Sequence, residues 1–390
     1  DYRRAGGIGG DAMIARLEEI CAINMGQSPD SSTYNEDGNG LPFFQGNADF
    51  GEIYPAVRMW CSEPTKIARE KDILIGALNI ANCECCIGRG LAALTVNEDI
   101  CAQEYLWHAL SGKVDELNSK GTGSTFKAIN KKTLSETEIP LPPIDEQRKI
   151  AAILDKVSDL IAKRRQQLDK LDEMVKARFV EMFGDVIQNT KLWPQYIFSD
   201  ITTSRLGKML DAKQQTGMCQ YPYLANFNVQ WFRFELDNLN EMDFNEADRI
   251  EFELRDGDLL VCEGGEIGRC AVWHNEIQPC YFQKALHRVR CKKEIVLPDY
   301  LAWWFKYNCD NKGFAAIEGA KATISHLPGA KLKALLVSVP PIEQQKQFAT
   351  FVEQTEKSKT TISRSLEKLE TLKKALMQEY FCILKNLTNN

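Results

Sequence analysis

The heptapeptide Leu141-Pro142-Pro143-Ile144-Asp145-Glu146-Gln147 returns later in the chain as Val339-Pro340-Pro341-Ile342-Glu343-Gln344-Gln345. At this shift of 198 residues the similarity runs without a gap, from residues 121–183 to residues 319–381. A repeat of this length is not the period of a solenoid. It indicates a duplicated half-molecule, and a duplicated binding protein implies a target with two parts.

Each heptapeptide opens a long amphipathic segment, and a Pro-Pro pair suits the first turn of a helix. Apolar positions then alternate by four and three residues, which is the heptad pattern of a coiled coil. Because each segment leaves a different globular part, burying the two apolar stripes against each other requires an antiparallel coiled coil. The alternative is two separate amphipathic helices, each packed on its own domain. The predicted interface contains Val157, Ile161, Leu168, Leu171, Val175, Ile362, Leu366, Leu369 and Leu376.

The two halves have matching local patterns, which predict an α+β fold. Short apolar runs at residues 73–76 and 259–262 predict buried strands, and residues 105–110 and 300–305 predict short helices. The expected organisation is a pseudo-two-fold duplication of mixed α/β domains joined by two long helices. Its predicted segments are a remnant of cloning at 1–12, globular parts at 13–144 and 185–342, helices at 145–184 and 343–383, and a tail at 384–390.

Composition excludes several classes of protein. The 13 cysteines are odd in number and irregularly spaced, which disfavours a disulfide framework and favours a reducing cytoplasm. No apolar run reaches the roughly 20 residues that a membrane helix needs. The cluster Cys83-Glu84-Cys85-Cys86 lacks the paired spacing of a zinc site, so we expect reduced, half-buried thiols on a strand and no metal.

The sequence contains no convincing catalytic motif. It has no GxxxxGK[ST] phosphate loop, no HExxH among its four histidines, and no Asn-Pro-Pro-Tyr type methyltransferase tetrapeptide. The glycines of residues 264–268 predict a tight turn, because no helix pattern follows them. We therefore expect no catalytic residue and no cofactor bound by this chain.

The remaining polar features suit a polyanion. Two loops at equivalent positions of the repeat are rich in hydroxyl and basic groups, which suit phosphate contacts: Ser124, Thr125 and Lys127 in the first, and Lys321, Thr323 and Ser325 in the second. Side chains suited to base edges or to DNA lie in the diverged middles: Gln45, Asn47, Asn226, Asn228 and Arg233, with Lys284 and Arg288 in a predicted polar strand at 283–288. The alternative for both sets is ordinary surface or core polarity. The net charge of −6 disfavours a protein that holds DNA alone through a large basic face.

The pattern resembles the specificity subunit of a type I restriction-modification system. The resemblance rests on the two heptapeptides with their long helices and on the preceding hydroxyl-rich loops. It rests also on Asn24-Met25-Gly26-Gln27-Ser28-Pro29, which is similar to the opening of a target recognition domain. The second loop departs from the first in lacking its Gly-Ser pair. The two globular parts would then be target recognition domains.

The resemblance implies a non-catalytic reader of a bipartite, asymmetric sequence in double-stranded DNA. It implies two modification subunits, which carry S-adenosylmethionine and methylate adenine, and restriction subunits that use ATP and Mg. The helices would set the gap between the half-sites and dock these partners, in the cytoplasm and without a membrane. Two other classes stay open: a coiled-coil adaptor without DNA recognition, and a nuclease with an unrecognised site.

Overall fold

The structure is a computed structural model that describes residues 3–5, 12–76, 78–119, 130–211, 215–315 and 326–381. The chain divides into two units. Unit 1 contains residues 1–166 and 363–390, and unit 2 contains residues 167–362. Each unit therefore combines a globular part with portions of both long helices.

The two long helices each run for 40 residues. The first ends at Phe183 and is followed by Gly184, whose φ of 72° suits a glycine and whose N–H donates to the carbonyl of Val180 at 2.8 Å. In the described part of the chain the α-helices are α1 (Leu17–Ile20), α2 (Gln103–Ser111), α3 (Val114–Ser119), α4 (Lys131–Ser135), α5 (Ile144–Phe183), α6 (Phe198–Ile201), α7 (Glu246–Phe252), α8 (Pro298–Asp310), α9 (Gly329–Lys333) and α10 (Ile342–Phe381).

Unit 1 contains three sheets among its described residues. Their strand orders are β1-β2-β12, β4-β6-β5-β10-β7 and β3-β11-β8-β9. The strands are β1 (Arg3–Ala5), β2 (Ala12–Arg16), β3 (Cys21–Met25), β4 (Tyr34–Asn35), β5 (Leu41–Phe44), β6 (Trp60–Cys61), β7 (Ile67–Ala68), β8 (Ile73–Ile75), β9 (Asn79–Ile80), β10 (Cys85–Ile87), β11 (Ala92–Val96) and β12 (Glu138–Leu141).

Unit 2 contains four sheets among its described residues. Their orders are β13-β23, β14-β22-β19-β20, β18-β15-β21 and β16-β17. The strands are β13 (Gln195–Ile197), β14 (Thr202–Leu206), β15 (Gln220–Leu224), β16 (Val229–Gln230), β17 (Arg233–Phe234), β18 (Asn240–Asp243), β19 (Leu259–Cys262), β20 (Cys270–Val272), β21 (Tyr281–Phe282), β22 (Leu286–Cys291) and β23 (Leu336–Ser338).

The two units share a strand order that their sequences do not reveal. In both, a four-stranded antiparallel sheet has its earliest strand on one edge, next to its latest strand. In both, one strand pair of a second sheet is parallel: β5 with β10, and β15 with β21. The duplication predicted from the repeat therefore extends through the diverged middles, and the predicted fold class is confirmed.

The four-stranded sheets are buried on both faces, which explains the continuous apolar runs. In unit 1, Ile73 and Ile75 pack against the cluster that contains α2, and Leu74 packs against the cluster of the second sheet. In unit 2, Leu259 and Leu260 divide in the same way between two clusters. Successive side chains of a strand point to opposite faces of the sheet. Because both faces here contact an apolar cluster, apolar residues are not interrupted by polar ones along the strand.

The last residue of each heptapeptide is a buried clamp. The Gln147 side chain is fully buried; its Nε2 donates to the carbonyls of Ile100 and Pro142 at 3.1 and 2.8 Å, and its Oε1 accepts from the N–H of Ala102 at 2.8 Å. Each bond satisfies a backbone group that water does not reach. The clamp fixes the start of α5 against the loop that precedes α2.

Gln345 makes the same three bonds in unit 2. Its Nε2 donates to the carbonyls of Ile295 and Pro340 at 3.0 and 2.7 Å, and its Oε1 accepts from the N–H of Leu297 at 2.8 Å. The side chain is again fully buried. The sequence repeat at this position is therefore a repeat of one hydrogen-bonding geometry.

The end of each long helix packs on the globular part that precedes the start of the other long helix. Phe381 at the end of α10 lies 5.2 Å from the ring of Tyr105 in unit 1, and Phe183 at the end of α5 lies 5.0 Å from the ring of Tyr300 in unit 2. Both tyrosine hydroxyls donate to backbone carbonyls just before the heptapeptides. Within each unit the two helix segments therefore run antiparallel.

Ion pairs join the helix segments in the same antiparallel sense. Arg165 contacts Glu370 at 2.8 Å in unit 1, and Lys359 contacts Asp172 at 2.7 Å in unit 2. The residues of the predicted interface are all buried or half-buried: Val157, Ile161, Leu168, Leu171, Val175, Ile362, Leu366, Leu369 and Leu376.

Replacing the Gln345 clamp tests how much it stabilises unit 2. Gln345→Leu leaves one N–H and two carbonyls buried without partners, and each such group costs about 1–3 kcal/mol. We expect a loss of at least about 2 kcal/mol in the free energy of unfolding, measured by denaturant titration. The matched control is Gln344→Leu, one position earlier and half-exposed, with a change below about 0.5 kcal/mol. Equal midpoints for the two variants would contradict the clamp.

Candidate nucleic-acid interface

The carboxyl ends of the parallel strand pair form the same edge in both units. In unit 1, β5 leads into Gln45 and β10 leads into Gly88; in unit 2, β15 leads into Ala225 and β21 leads into Gln283. Parallel strands end at one edge of a sheet, and such edges are common ligand sites because their loops converge. Gln45, Asn226 and Lys284 of the predicted set lie on or next to these ends.

A short turn follows the second strand of each parallel pair, and four backbone hydrogen bonds define it. We call residues 88–91 of unit 1 and residues 283–286 of unit 2 the edge turns. In unit 1 the bonds join Gly88 N to Phe44 O, Leu91 N to Gly88 O, Gly26 N to Leu91 O and Gln27 N to Ile87 O, at 2.8–3.0 Å. In unit 2 they join Gln283 N to Leu224 O, Leu286 N to Gln283 O, Gly207 N to Leu286 O and Lys208 N to Phe282 O, at 3.0–3.2 Å.

A glycine is required where the first strand of the four-stranded sheet meets each edge turn. A Cβ on Gly26 would lie 2.1 Å from the carbonyl oxygen of Gly88, and a Cβ on Gly207 would lie 2.2 Å from that of Gln283. Both distances are far inside van der Waals contact. This explains the glycine in the segment Asn24–Pro29, and Gly207 is its unrecognised counterpart.

Each edge turn carries one exposed basic side chain. In unit 1 this side chain is Arg89, next to the exposed Gln45, and in unit 2 it is Lys284. Sequence reasoning identified Lys284 but missed Arg89. The backbone hydrogen bonds that make the two turns equivalent cannot be read from the amino-acid sequence. The signal that was available is the basic residue two positions before Leu91 and Leu286.

Both predicted asparagines of unit 2 bond within the protein, and Asn226 is half-buried whereas Asn228 is buried. Asn226 donates through Nδ2 to the carbonyl of Gly264 at 2.8 Å, and its Oδ1 accepts from Arg269 at 2.6 Å. Asn228 is 1% exposed, and its amide bonds the N–H of Ala225 and the carbonyl of Glu235. The predicted base contact of Asn228 is therefore corrected: its side chain shapes the loop, since using it elsewhere would leave two buried backbone groups unpaired.

Arg233 and Arg288 have opposite environments. Arg233 is exposed and contacts Glu235 at 3.2 Å. Arg288 is buried, and its Nη1 donates to the carbonyls of Glu251 and Glu253 at 2.7 and 3.2 Å. Burial lowers the pKa of Arg288 to about 10, so its charge persists at neutral pH. The predicted polar strand at 283–288 is also corrected: the strand begins at Leu286, and Arg288 serves the interior.

The family model described as "Type I restriction modification DNA specificity domain" matches residues 10–172 and 191–373. Each match takes in one globular part and most of the long helix after it. The chain belongs to this type I DNA specificity family. Membership makes it the DNA-recognition component of such a system, with catalysis in other subunits, and disfavours the adaptor and nuclease alternatives.

Two relatives illustrate how the similarity is distributed. The putative type I restriction enzyme MjaX specificity subunit of Methanocaldococcus jannaschii is 41% identical over 165 residues, which is 41% of this chain and 39% of that protein. The type I restriction enzyme EcoBI specificity subunit of Escherichia coli is 22% identical over 422 residues, covering 94% of this chain and 84% of that protein.

Solved structures share the fold. The type I restriction-modification S subunit from M. genitalium has a TM-score of 0.56 at 13% identity, covering 97% of this chain and 98% of that one. A chain from a structure described as the basis of complex assembly and conformational transition of the type I R-M system has a TM-score of 0.60 at 15% identity, covering 97% and 99%. At these identities the likeness concerns the fold alone.

Several predicted contacts of this type I specificity chain lie outside the described residues. They are Ser124, Thr125, Lys127, Lys321, Thr323, Ser325 and the side chain of Asn47. The predicted phosphate contacts of both hydroxyl-rich loops therefore stay predictions.

Two of the three cysteines in the cluster lie on a buried strand. Cys85 and Cys86 lie on β10 and are buried, whereas Cys83 is half-exposed. Burial raises the pKa of the Cys85 thiol to about 12, which keeps it protonated. Across the described ranges, no group of three His, Cys, Asp or Glu side chains could hold a metal ion. No helix in those ranges is long and apolar enough to cross a membrane.

Gly26→Ala tests the close approach that supports the edge turn of unit 1. The added methyl group forces the two backbones apart, and overpacking of this kind costs roughly 1–3 kcal/mol. We expect lower thermal stability and faster hydrogen exchange at the amides of Gly26 and Leu91. The matched control is Gly46→Ala, where nothing lies within 4 Å of the added Cβ. If Gly26→Ala behaved like Gly46→Ala, the glycine would not be needed there.

Proposed function

We propose that this chain reads a bipartite, asymmetric sequence in double-stranded DNA, with one half-site bound by each unit. The observation that carries the proposal is the edge built twice with the same backbone hydrogen bonds and different side chains. Unit 1 presents Gln45 and Arg89, whereas unit 2 presents Lys284, with Arg233 exposed on β17. Two edges with the same backbone hydrogen bonds but different side chains suit two different half-sites.

The side chains on these edges fit the chemistry of DNA. A glutamine amide pairs with adenine in the major groove, and an arginine pairs with guanine. Arg and Lys also contact phosphates, which position a protein without reading sequence. The net charge of −6 favours recognition inside a complex, in which partner subunits supply further positive charge around the duplex.

We infer that two modification subunits dock on the long helices. Met174 of α5 and Leu372 of α10 are separated by the repeat shift of 198 residues, and they are 43% and 46% exposed. One lies in each unit. A large apolar side chain exposed beside a charged helix surface at two equivalent places suits two copies of one partner. These partners would carry S-adenosylmethionine and methylate adenine, and restriction subunits with ATP and Mg would join them.

The decisive experiment is a methylome of cells that express this chain with its modification subunit. We expect methylated adenine in one two-part motif with a fixed gap, and none when this chain is omitted. The purified chain alone should transfer no methyl group from S-adenosylmethionine to DNA. Methylation of a single undivided motif, or transfer by the chain alone, would overturn the proposal.

Reciprocal substitutions test whether the units read separate half-sites. Arg233→Ala should relax recognition in one half-site and Gln45→Ala in the other, since each lies in a different unit. A good bidentate base contact is worth roughly 1–3 kcal/mol. Competition binding with targets mutated at each base pair measures this, and each variant is the control for the other. Equal loss in both half-sites for either variant would contradict independent reading.

Charge substitution on the helices tests partner docking. We expect Met174→Glu to reduce the ratio of modification subunit to this chain from two to one, and Met174→Glu with Leu372→Glu to abolish binding. Mass photometry of the mixed proteins gives the ratio. Lys176→Glu and Lys374→Glu are matched controls, because both residues are exposed at the same repeat shift and lie about 200° around their helices from Met174 and Leu372. Full assembly of the double variant would exclude this surface.

Helix length tests whether α5 and α10 set the gap between half-sites. Adding one heptad to both helices lengthens each by about 10 Å at 1.5 Å per residue, which is roughly three base pairs of duplex at 3.4 Å each. Three base pairs also turn the DNA by about 100°, so the preferred gap should grow while affinity falls. Targets with graded gaps measure this. An unchanged gap with intact helices would make the helices a docking surface alone.

A further inference from the structure

We propose that Arg89 and Lys284 are matched contacts to DNA phosphates, one in each unit, that anchor the chain to the duplex whatever its sequence. The proposal rests on the function proposed above and assigns a role to two specific side chains. It gives the edge turns a positioning task that differs from base reading.

Arg89 and Lys284 occupy equivalent positions in the backbone. Arg89 follows Gly88, which donates to Phe44 and accepts from Leu91; Lys284 follows Gln283, which donates to Leu224 and accepts from Leu286. The two side chains therefore leave the same position of the same turn. The neighbouring residues differ, with Gly-Arg-Gly-Leu in one turn and Gln-Lys-Ala-Leu in the other. A basic residue is retained where its surroundings have changed.

The positive charges of Arg89 and Lys284 are available to a ligand. Three basic side chains of unit 2 are paired with carboxylates: Lys208 with Asp248, Arg290 with Asp258, and Arg205 with Glu251. Arg89 and Lys284 are exposed and form no ion pair with a described residue. In an acidic chain, an exposed cation without a carboxylate partner is a strong point of attraction for a polyanion.

Further backbone hydrogen bonds hold both edge turns in place. The N–H of Arg89 donates to the hydroxyl of Ser28 at 3.2 Å, in addition to the four bonds of its turn. In unit 2 the carbonyl of Ala285 accepts from the N–H of Glu263 at 2.9 Å, and Ala285 has a φ of 122°. That φ is unfavourable for alanine and persists where the surroundings fix it. A fixed turn presents its basic side chain with little loss of backbone entropy on binding.

The test is the salt dependence of DNA binding by the chain assembled with its modification subunits. Each lost phosphate contact lowers the slope of log K against log salt by about one unit. We expect Arg89→Gln and Lys284→Gln each to lower the slope by about one, and the double variant by about two. The proportional loss of affinity should be equal on target and non-target duplexes, because a phosphate carries no base identity.

Matched controls come from the far ends of the same sheets. Lys71 precedes β8 and Lys293 follows β22, roughly 20 Å along the strands from the edge turns, and both are exposed. Lys71→Gln and Lys293→Gln should leave the slope unchanged.

The outcomes separate the two proposals. If the unsubstituted complex discriminates target from non-target DNA and the variants keep its slope, the phosphate contacts are refuted and the proposed function stands. If a variant loses affinity for the target alone, the side chain reads a base and is not a phosphate anchor. If the unsubstituted complex binds no duplex DNA, the proposed function itself fails.

Discussion

A single side-chain amide joins three backbone segments at the start of each long helix, and the arrangement of each unit depends on it. Gln147 and Gln345 are fully buried and satisfy one N–H and two carbonyl groups each. These bonds tie the Pro-Pro turn, the helix and the loop before α2 or α8 into one body. The edges that carry Gln45 and Lys284 belong to the globular parts, so a fixed helix start gives each edge a defined orientation within its unit.

The duplication is expressed in packing as well as in sequence. Phe381 completes the core around Tyr105, and Phe183 completes the core around Tyr300. The core of each globular part is therefore completed by the end of the long helix that begins in the other repeat. Buried aromatic pairs of this kind add about 0.5–1.5 kcal/mol beyond their area. Both long helices contribute side chains to the hydrophobic core of each unit.

The sequence predicted the helices, their antiparallel pairing and the duplicated α+β class, because heptad periodicity and the repeat are direct records of burial. It did not reveal the shared strand order of the middles, which is conserved in backbone bonds such as Gly26 N to Leu91 O rather than in side chains. It placed Asn228 and Arg288 on the DNA surface because residue type does not report burial. It overlooked Arg89 because an arginine between two glycines has the pattern of an ordinary loop.

The division of the chain into a continuous and a discontinuous unit imposes an order on the folding of the two units during synthesis. Unit 2 is one uninterrupted segment, residues 167–362, whereas unit 1 needs residues 363–390 to join residues 1–166. Chains are made from the amino terminus, and contacts between distant segments form late. The half of the protein that leaves the ribosome first is therefore completed last, when Phe381 reaches Tyr105. A ribosome that stalls in α10 would release a chain whose second unit is nearly whole and whose first unit has an open core.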